Sequence, residues 1–232
     1  VELGNLAATH RRKAIYSRNT NDIYLSLRFN MESLEIARKI KNKRYEIEAM
    51  NNIGLAYATN RNYNQALKYF RWAIKEAMLI AYFSEACNVY ANMGFVLLDK
   101  KDYVEAESCF RKGLELVLKA GRYDVLWEIY FGLGQCLEKA CRYEAALICY
   151  GKAIDTVDFM RSRLALDDYK AGFVRDKMKA YEALLSLLYD CKEKERTLKY
   201  DREIFEVVEK AKARAFLEEL GRADRLTSNP AD

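Results

Sequence analysis

Residues 53–73 read IGLAYATNRNYNQALKYFRWA, and the pattern returns as MGFVLLDKKDYVEAESCFRKG at 93–113 and LGQCLEKACRYEAALICYGKA at 133–153. Gly54, Gly94 and Gly134 open each copy at intervals of 40 residues. Ala66, Ala106 and Ala146 follow in register, then Phe70, Phe110 and Tyr150, then Ala73, Gly113 and Ala153, with Tyr63, Tyr103 and Tyr143 also repeating. Small residues recur where two helices approach closely, and aromatic residues recur where a neighbour leaves a groove, which is what stacked helical hairpins require. Each copy reads as two amphipathic helices, A and B, divided by a polar turn at Asn60-Arg61-Asn62, Lys100-Lys101-Asp102 and Lys139 to Arg142.

The rest of the composition agrees with helices. One proline, Pro230, and 10 glycines in 232 residues leave too few turn formers for an all-β chain, and 51% hydrophobic with 31% charged residues predicts a folded chain in water. The net charge is +5, and four of those charges fall in residues 1–48, with 10 basic against 6 acidic side chains. With a pI of 8.7, nucleic acid is an unlikely partner. The basic run Arg11-Arg12-Lys13 with Lys39, Lys41, Lys43 and Arg44 reads as a solvated face, an acidic partner being its functional alternative. Ala86 to Leu98, an uncharged run of 13 residues, is too short to span a bilayer. Six cysteines show no CxxC pair, and His10, the one histidine, is far from all of them in the chain, so neither a metal nor a cofactor is expected. Cys109 and Cys149 sit one repeat apart, as core thiols of a reducing, cytoplasmic compartment would.

The Ile53-Gly54-x-x-Tyr57 and Ala66-x-x-x-Phe70-x-x-Ala73 signals, with Met93-Gly94 and Leu133-Gly134 as their equivalents, resemble the tetratricopeptide (TPR) repeat. The period of 40 departs from that family's usual length of about 34. Met78, Leu118 and Asp158 stand where its repeat-ending proline would be. The resemblance implies an all-α, right-handed α-solenoid of antiparallel hairpins. Ile23 to Ile40 would be a further helix B, with Ser33 at the place of Ala73, and Leu6 to Arg18 its degenerate helix A. The expected organisation is an array of about four hairpins over 1–160, a C-terminal helical hairpin over 161–226 and a tail over 227–232.

Beyond Met160 the register stops. Helical patterns near Leu164–Cys191 and Lys199–Ala223 carry apolar stripes: Leu184, Leu185, Leu187 and Leu188 in one, Ile204, Phe205, Val207, Val208, Ala211, Ala215, Phe216 and Leu220 in the other. They are expected to pack as a hairpin on the last repeat. Arg161-Ser162-Arg163-Leu164, Asp168-Tyr169, Phe173, Asp176-Lys177, Tyr181 and the run Glu206 to Leu217 resemble the helical stretch joining TPR arrays to the caspase-like CHAT peptidase domain of bacterial proteins. That resemblance implies a Cys/His protease domain after Asp232. Val1 in place of Met is expected to mark a processed or internal start, and Thr227 to Pro230 a helix stop and linker.

No catalytic constellation is expected within the chain: Asp167-Asp168 and Glu218-Glu219 are neighbours on helices whose side chains diverge, and no phosphate loop, HExxH or GxSxG occurs. Recognition of a protein or peptide on the concave A-helix groove is the function implied. The groove positions of peptide-binding TPR proteins correspond to Asn52, Leu55 and Thr59, to Asn92, Phe95 and Asp99, and to Gly132, Gln135 and Lys139. Asn52 and Asn92 offer donor and acceptor together to a peptide bond, helix-to-helix hydrogen bonding being the alternative. Phe95 and Phe131 are candidate aromatic anchors, Phe131 being also a candidate for burial between repeats, while Gly132 interrupts the asparagine series. Tyr90 and Tyr130 are expected to pack between repeats, and Trp72 and Trp127 to fill grooves between helices. A stand-alone TPR sensor of the peptide-responsive bacterial regulator type and a structural scaffold are the alternative functions.

Overall fold

The computed structural model describes residues 2–17, 20–163, 178–195 and 198–213, and among these there is helix and turn but no strand. The helices are α1 (Glu2–Ser17), α2 (Thr20–Lys39), α3 (Lys43–Thr59), α4 (Tyr63–Leu79), α5 (Phe83–Asp99), α6 (Tyr103–Ala120), α7 (Tyr123–Lys139), α8 (Tyr143–Ser162) and α9 (Met178–Glu195). A further helix, α10, covers residues 201–213. The chain divides into two compact units, Val1–Val125 and Leu126–Asp232. Both are of the α-solenoid class, built from antiparallel helical hairpins.

In the first unit α1/α2, α3/α4 and α5/α6 are the hairpins, and α3 touches both α1 and α5, so the A helices form a row. The B helices turn one stripe inward: Ala66, Leu67, Phe70, Ala73 and Ala77 on α4, and Ala106, Cys109, Phe110, Gly113, Leu116 and Val117 on α6. Gly54 faces the ring of Phe70, and a Cβ added to Gly94 would stand 2.6 Å from Phe110. The glycine and the aromatic are therefore two halves of one contact within a hairpin. In the first hairpin Ala14, Ser26 and Asn30, all buried, stand at the register of Gly54, Ala66 and Phe70. Where the glycine gains a methyl group, the aromatic ring is replaced by a smaller polar side chain.

The turns repeat at half the sequence period. Lys41, Arg61, Ala81, Lys101, Gly121 and Cys141, spaced by 20 residues, all have positive φ, between 54° and 65°. In each full case two backbone bonds close the helix end, as when Arg61 N–H donates to Ala58 O (2.8 Å) and Asn62 N–H to Tyr57 O (2.9 Å). Asn42, Asn62 and Asp102 then cap the next helix through their side chains. Of the six turn residues only Gly121 adopts this left-handed backbone without steric cost.

In the second unit Gly134 faces the Tyr150 ring, as the register requires. The Tyr150 hydroxyl donates to Glu138 Oε2 at 2.7 Å, a bond for which the Phe70 and Phe110 copies have no counterpart. α9 packs on α8, where Tyr181 donates to Asp158 at 3.1 Å and Lys194 reaches the Tyr143 hydroxyl at 3.2 Å. Leu184, Leu187 and Leu188 are buried, as are Ile204 and Val207 of α10, and Lys192 pairs with Asp201. Phe205, expected in the apolar stripe of that helix, is instead 66% exposed, because it stands next to Ile204 and so a third of a turn off the buried face. Ala215, Phe216, Leu220, the block Leu164 to Lys177, Asp167-Asp168, Glu218-Glu219 and the tail lie outside the described residues.

Candidate functional site

Within each A helix the sequence-derived groove positions share one face, at spacings of three and four residues. On α3, Asn52, Leu55 and Thr59 are half-buried. The Asn52 amide makes no hydrogen bond to any described residue, whereas the Thr59 hydroxyl donates to Leu55 O of its own helix at 2.9 Å. On α5, Asn92 and Phe95 are half-buried and Asp99 is exposed. The Phe95 ring meets Phe110 edge-on, with centroids 5.1 Å apart, so one side of it is packed within the hairpin. In the second unit, on α7, Gln135 is half-buried, Lys139 is exposed beside Glu138 (3.6 Å), and Gly132 is buried.

Asn92 takes up the helix-to-helix role for one of its groups. Its Nδ2 donates to Asn51 Oδ1 at 3.0 Å, while its own Oδ1 has no partner among the described residues. Asn51 in turn donates to Glu85 Oε1 at 2.7 Å, and Asn88 donates to Glu85 Oε2 at 3.3 Å. Burial pushes the Glu85 carboxyl above its ordinary range, against the opposing pull of the Asn88 and Asn51 hydrogen bonds. Beside this ladder, Tyr82 donates to Glu48 Oε1 at 2.9 Å, and the Arg44 guanidinium lies 5.0 Å over the Tyr82 ring. The Tyr82 phenol is pushed up to about 12, by burial first and then by its bond to Glu48.

Asn51, Glu85, Asn88, Glu48 and Tyr82 were not among the sequence-derived positions. The signal that reaches some of them is an offset rather than an identity: Asn51 to Glu85 and Glu48 to Tyr82 are each separated by 34 residues, one repeat less about a turn and a half of helix. The aromatics divide. Trp127 and Phe131 are buried, and the Lys179 ammonium lies 5.1 and 5.2 Å from their ring centroids. Tyr90 and Tyr130 are half-buried. Trp72 does not fill a groove between helices: it is 44% exposed, edge-on to Tyr69, with Lys68 4.8 Å above it. It falls between Phe70 and Ala73 of the buried stripe and so turns outward. Cys109 is buried, its thiol pushed up to about 11 by desolvation, and Cys149 is half-buried; all six cysteines are free thiols.

Hairpins of this geometry meet the comparisons with known proteins. Residues 85–157 match one tetratricopeptide repeat family model, and residues 47–75 match another. The repeats within these two stretches are tetratricopeptide repeats. None of the curated proteins compared matches the chain. Among solved structures, BtubC (BKLC) from P. vanneervenii is similar at 11% identity and a TM-score of 0.60, covering 100% of this chain and 92% of that one. The apo form of RapI is similar at 15% identity and 0.59, over 98% and 85%. Aspartyl phosphate phosphatase F from Bacillus subtilis is similar at 16% identity and 0.61, over 95% of this chain and 60% of that one. At these identities the likeness is one of fold. Among the described residues, no helix is long and apolar enough to cross a membrane, and no group of three His, Cys, Asp and Glu side chains is placed to hold a metal ion.

Proposed function

We propose that the chain is a non-catalytic, cytoplasmic recognition domain that binds an extended segment of a partner protein along its A helices. The observation that carries this reading is the Asn52 amide, half-buried on α3 and without a partner among the described residues, with the Oδ1 of Asn92, likewise without one there, one repeat further along on α5. A buried-edge amide that its own fold leaves unbonded is suited to a peptide bond, which presents one donor and one acceptor. Leu55 and Phe95 beside them supply apolar contact, with Thr59 and Asp99 at the following turn; Gln135 and Lys139, on α7, are proposed as contacts of the second unit by itself. The finer reading is that this domain regulates a CHAT-type protease. The resemblance of Arg161-Ser162-Arg163 and of the run from Glu206 supports it, and a caspase-like domain following Asp232 in the parent reading frame is its test. The sensor reading is favoured by the likeness of fold to RapI and to the aspartyl phosphate phosphatase.

The binding test uses peptides selected against the chain from a displayed random library. Their affinities are then measured for the parent and for Asn52→Ala and Asn92→Ala, with circular dichroism to establish folding. A loss of about tenfold per amide is expected, since each contributes roughly 1 kcal/mol or somewhat more. Undiminished binding by folded variants refutes the reading.

A further inference from the structure

Between α1, α2 and the first half of α3 lies a cavity of about 370 Å³. Ala8, Ile36, Ala37, Ile40 and Ala49 give it apolar walls, and among the described residues Glu48 is the one charged side chain that lines it. The Tyr82 hydroxyl holds one oxygen of that carboxylate at 2.9 Å, and no lysine or arginine of the described residues pairs with it. A carboxylate at the edge of an apolar cavity repels anions and gains nothing from a purely apolar occupant, but it complements a cation carried on a hydrocarbon stem. Glu48 also lies one helical turn from Asn52, which lines the same cavity.

The stripe of α2 that runs on from the cavity carries polar side chains. Ser26, Asn30, Ser33 and Ala37 share one stripe of α2, and the last two line the cavity. Further along that stripe Ser26 Oγ and Asn30 Oδ1 are buried without a hydrogen-bond partner. The Asn30 oxygen can only accept a hydrogen bond, whereas the Ser26 hydroxyl can donate or accept one, and neither lines the cavity itself.

We infer that the cavity seats a lysine or arginine side chain of the bound segment, with its stem against Ile36, Ala37 and Ile40 and its charged head on Glu48. The inference rests on the A-helix reading, in which Asn52 holds the adjacent peptide bond. It names the partner's chemistry: a segment with a basic residue at the position that crosses α3.

The test titrates the full chain with n-hexylamine, n-hexanol and hexanoate, following backbone amide resonances. Hexylamine is expected to shift Ala8, Ala37, Ala49 and Asn52 saturably, at least tenfold more tightly than hexanol, and hexanoate not at all. Glu48→Gln should remove that tenfold advantage and Tyr82→Phe should keep it. Equal binding of amine and alcohol by the unmodified chain overturns the inference without reliance on any variant, as does hexylamine binding that Glu48→Gln leaves unchanged or that maps elsewhere. The two readings fail separately. Library peptides that need Asn52 and Asn92 but carry no basic residue refute the cavity assignment alone, and amine binding at Glu48 with no selectable peptide refutes the peptide groove.

Discussion

Gly94 presents its bare Cα to the ring of Phe110, sixteen residues on, at a separation that leaves no room for a methyl group: the added carbon would sit 2.6 Å from Phe110 Cζ. Phe110 is fully buried and meets Phe95 on another side, so the ring has little freedom to retreat. Gly94→Ala gains about 1 kcal/mol of helix propensity but overpacks this contact by roughly 1–3 kcal/mol. The expected result is a net loss of about 1 kcal/mol in urea unfolding, reduced when Phe110→Leu is present in the same chain. Stabilisation by Gly94→Ala alone would show that the contact does not set the hairpin's spacing.

That contact explains how much of the fold was legible. Gly54 to Phe70, Gly94 to Phe110 and Gly134 to Tyr150 all lie within single hairpins, so a constant offset in the chain reports a constant distance in space. The degenerate hairpin was legible for the same reason, although only the structure shows Ala14 and Asn30 to be a matched replacement for the glycine and its ring. The site was harder to read. Asn52 and Asn92 stand at equal register, but the hydrogen bond runs from Asn92 to Asn51, since neighbouring A helices meet at staggered residues. Trp72 and Phe205 misled because size suggests burial, whereas the helical phase of each points it outward.

The turns yield a prediction that repeat matching did not reach. Ala81 has φ of 54° with its N–H donated to Met78 O at 3.3 Å, a conformation in which a Cβ crowds the following carbonyl at a cost of roughly 1–2 kcal/mol. Ala81→Gly is therefore expected to stabilise the chain by about 1 kcal/mol, part of the relief being lost to the greater freedom of glycine when unfolded. Gly121→Ala, at φ of 65°, should destabilise by a similar amount. Thermal unfolding of the two variants should shift in opposite directions, and a shared direction would contradict the argument.

The second unit supplies a natural swap. Tyr150 occupies the register of Phe110 and Glu138 that of Leu98, and the phenol and carboxylate bond at 2.7 Å. Tyr150→Phe leaves a half-exposed Glu138 that water can rehydrate, so the expected cost is about 1 kcal/mol. Glu138→Ala leaves the hydroxyl of a residue that is 1% exposed without its partner, which costs more, roughly 1–3 kcal/mol. Tyr150→Phe with Glu138→Leu rebuilds the Phe110 and Leu98 pair and should lie close to the parent in urea unfolding. A double variant as unstable as the sum of the singles would mean that the two residues do not act as a pair.

Glu85 sets a pH dependence whose sign can be worked out. Desolvation raises its folded pKa above the unfolded value, while the Asn88 and Asn51 amides and the more distant Arg122 lower it and Glu48 raises it further. Because the folded chain holds this proton more tightly, the stability it contributes is fully present below the unfolded carboxyl pKa. It is lost as pH rises through the folded pKa. Glu85→Gln cannot ionise, and its amide oxygen can still accept the shorter Asn51 bond of 2.7 Å, at the expense of the 3.3 Å bond from Asn88. The stability of Glu85→Gln relative to the parent should therefore grow from pH 4 to pH 8, whatever its offset at pH 4. Urea midpoints measured across that range test it, and a difference that stays flat or shrinks would show that the Glu85 carboxylate is not penalised in the folded chain.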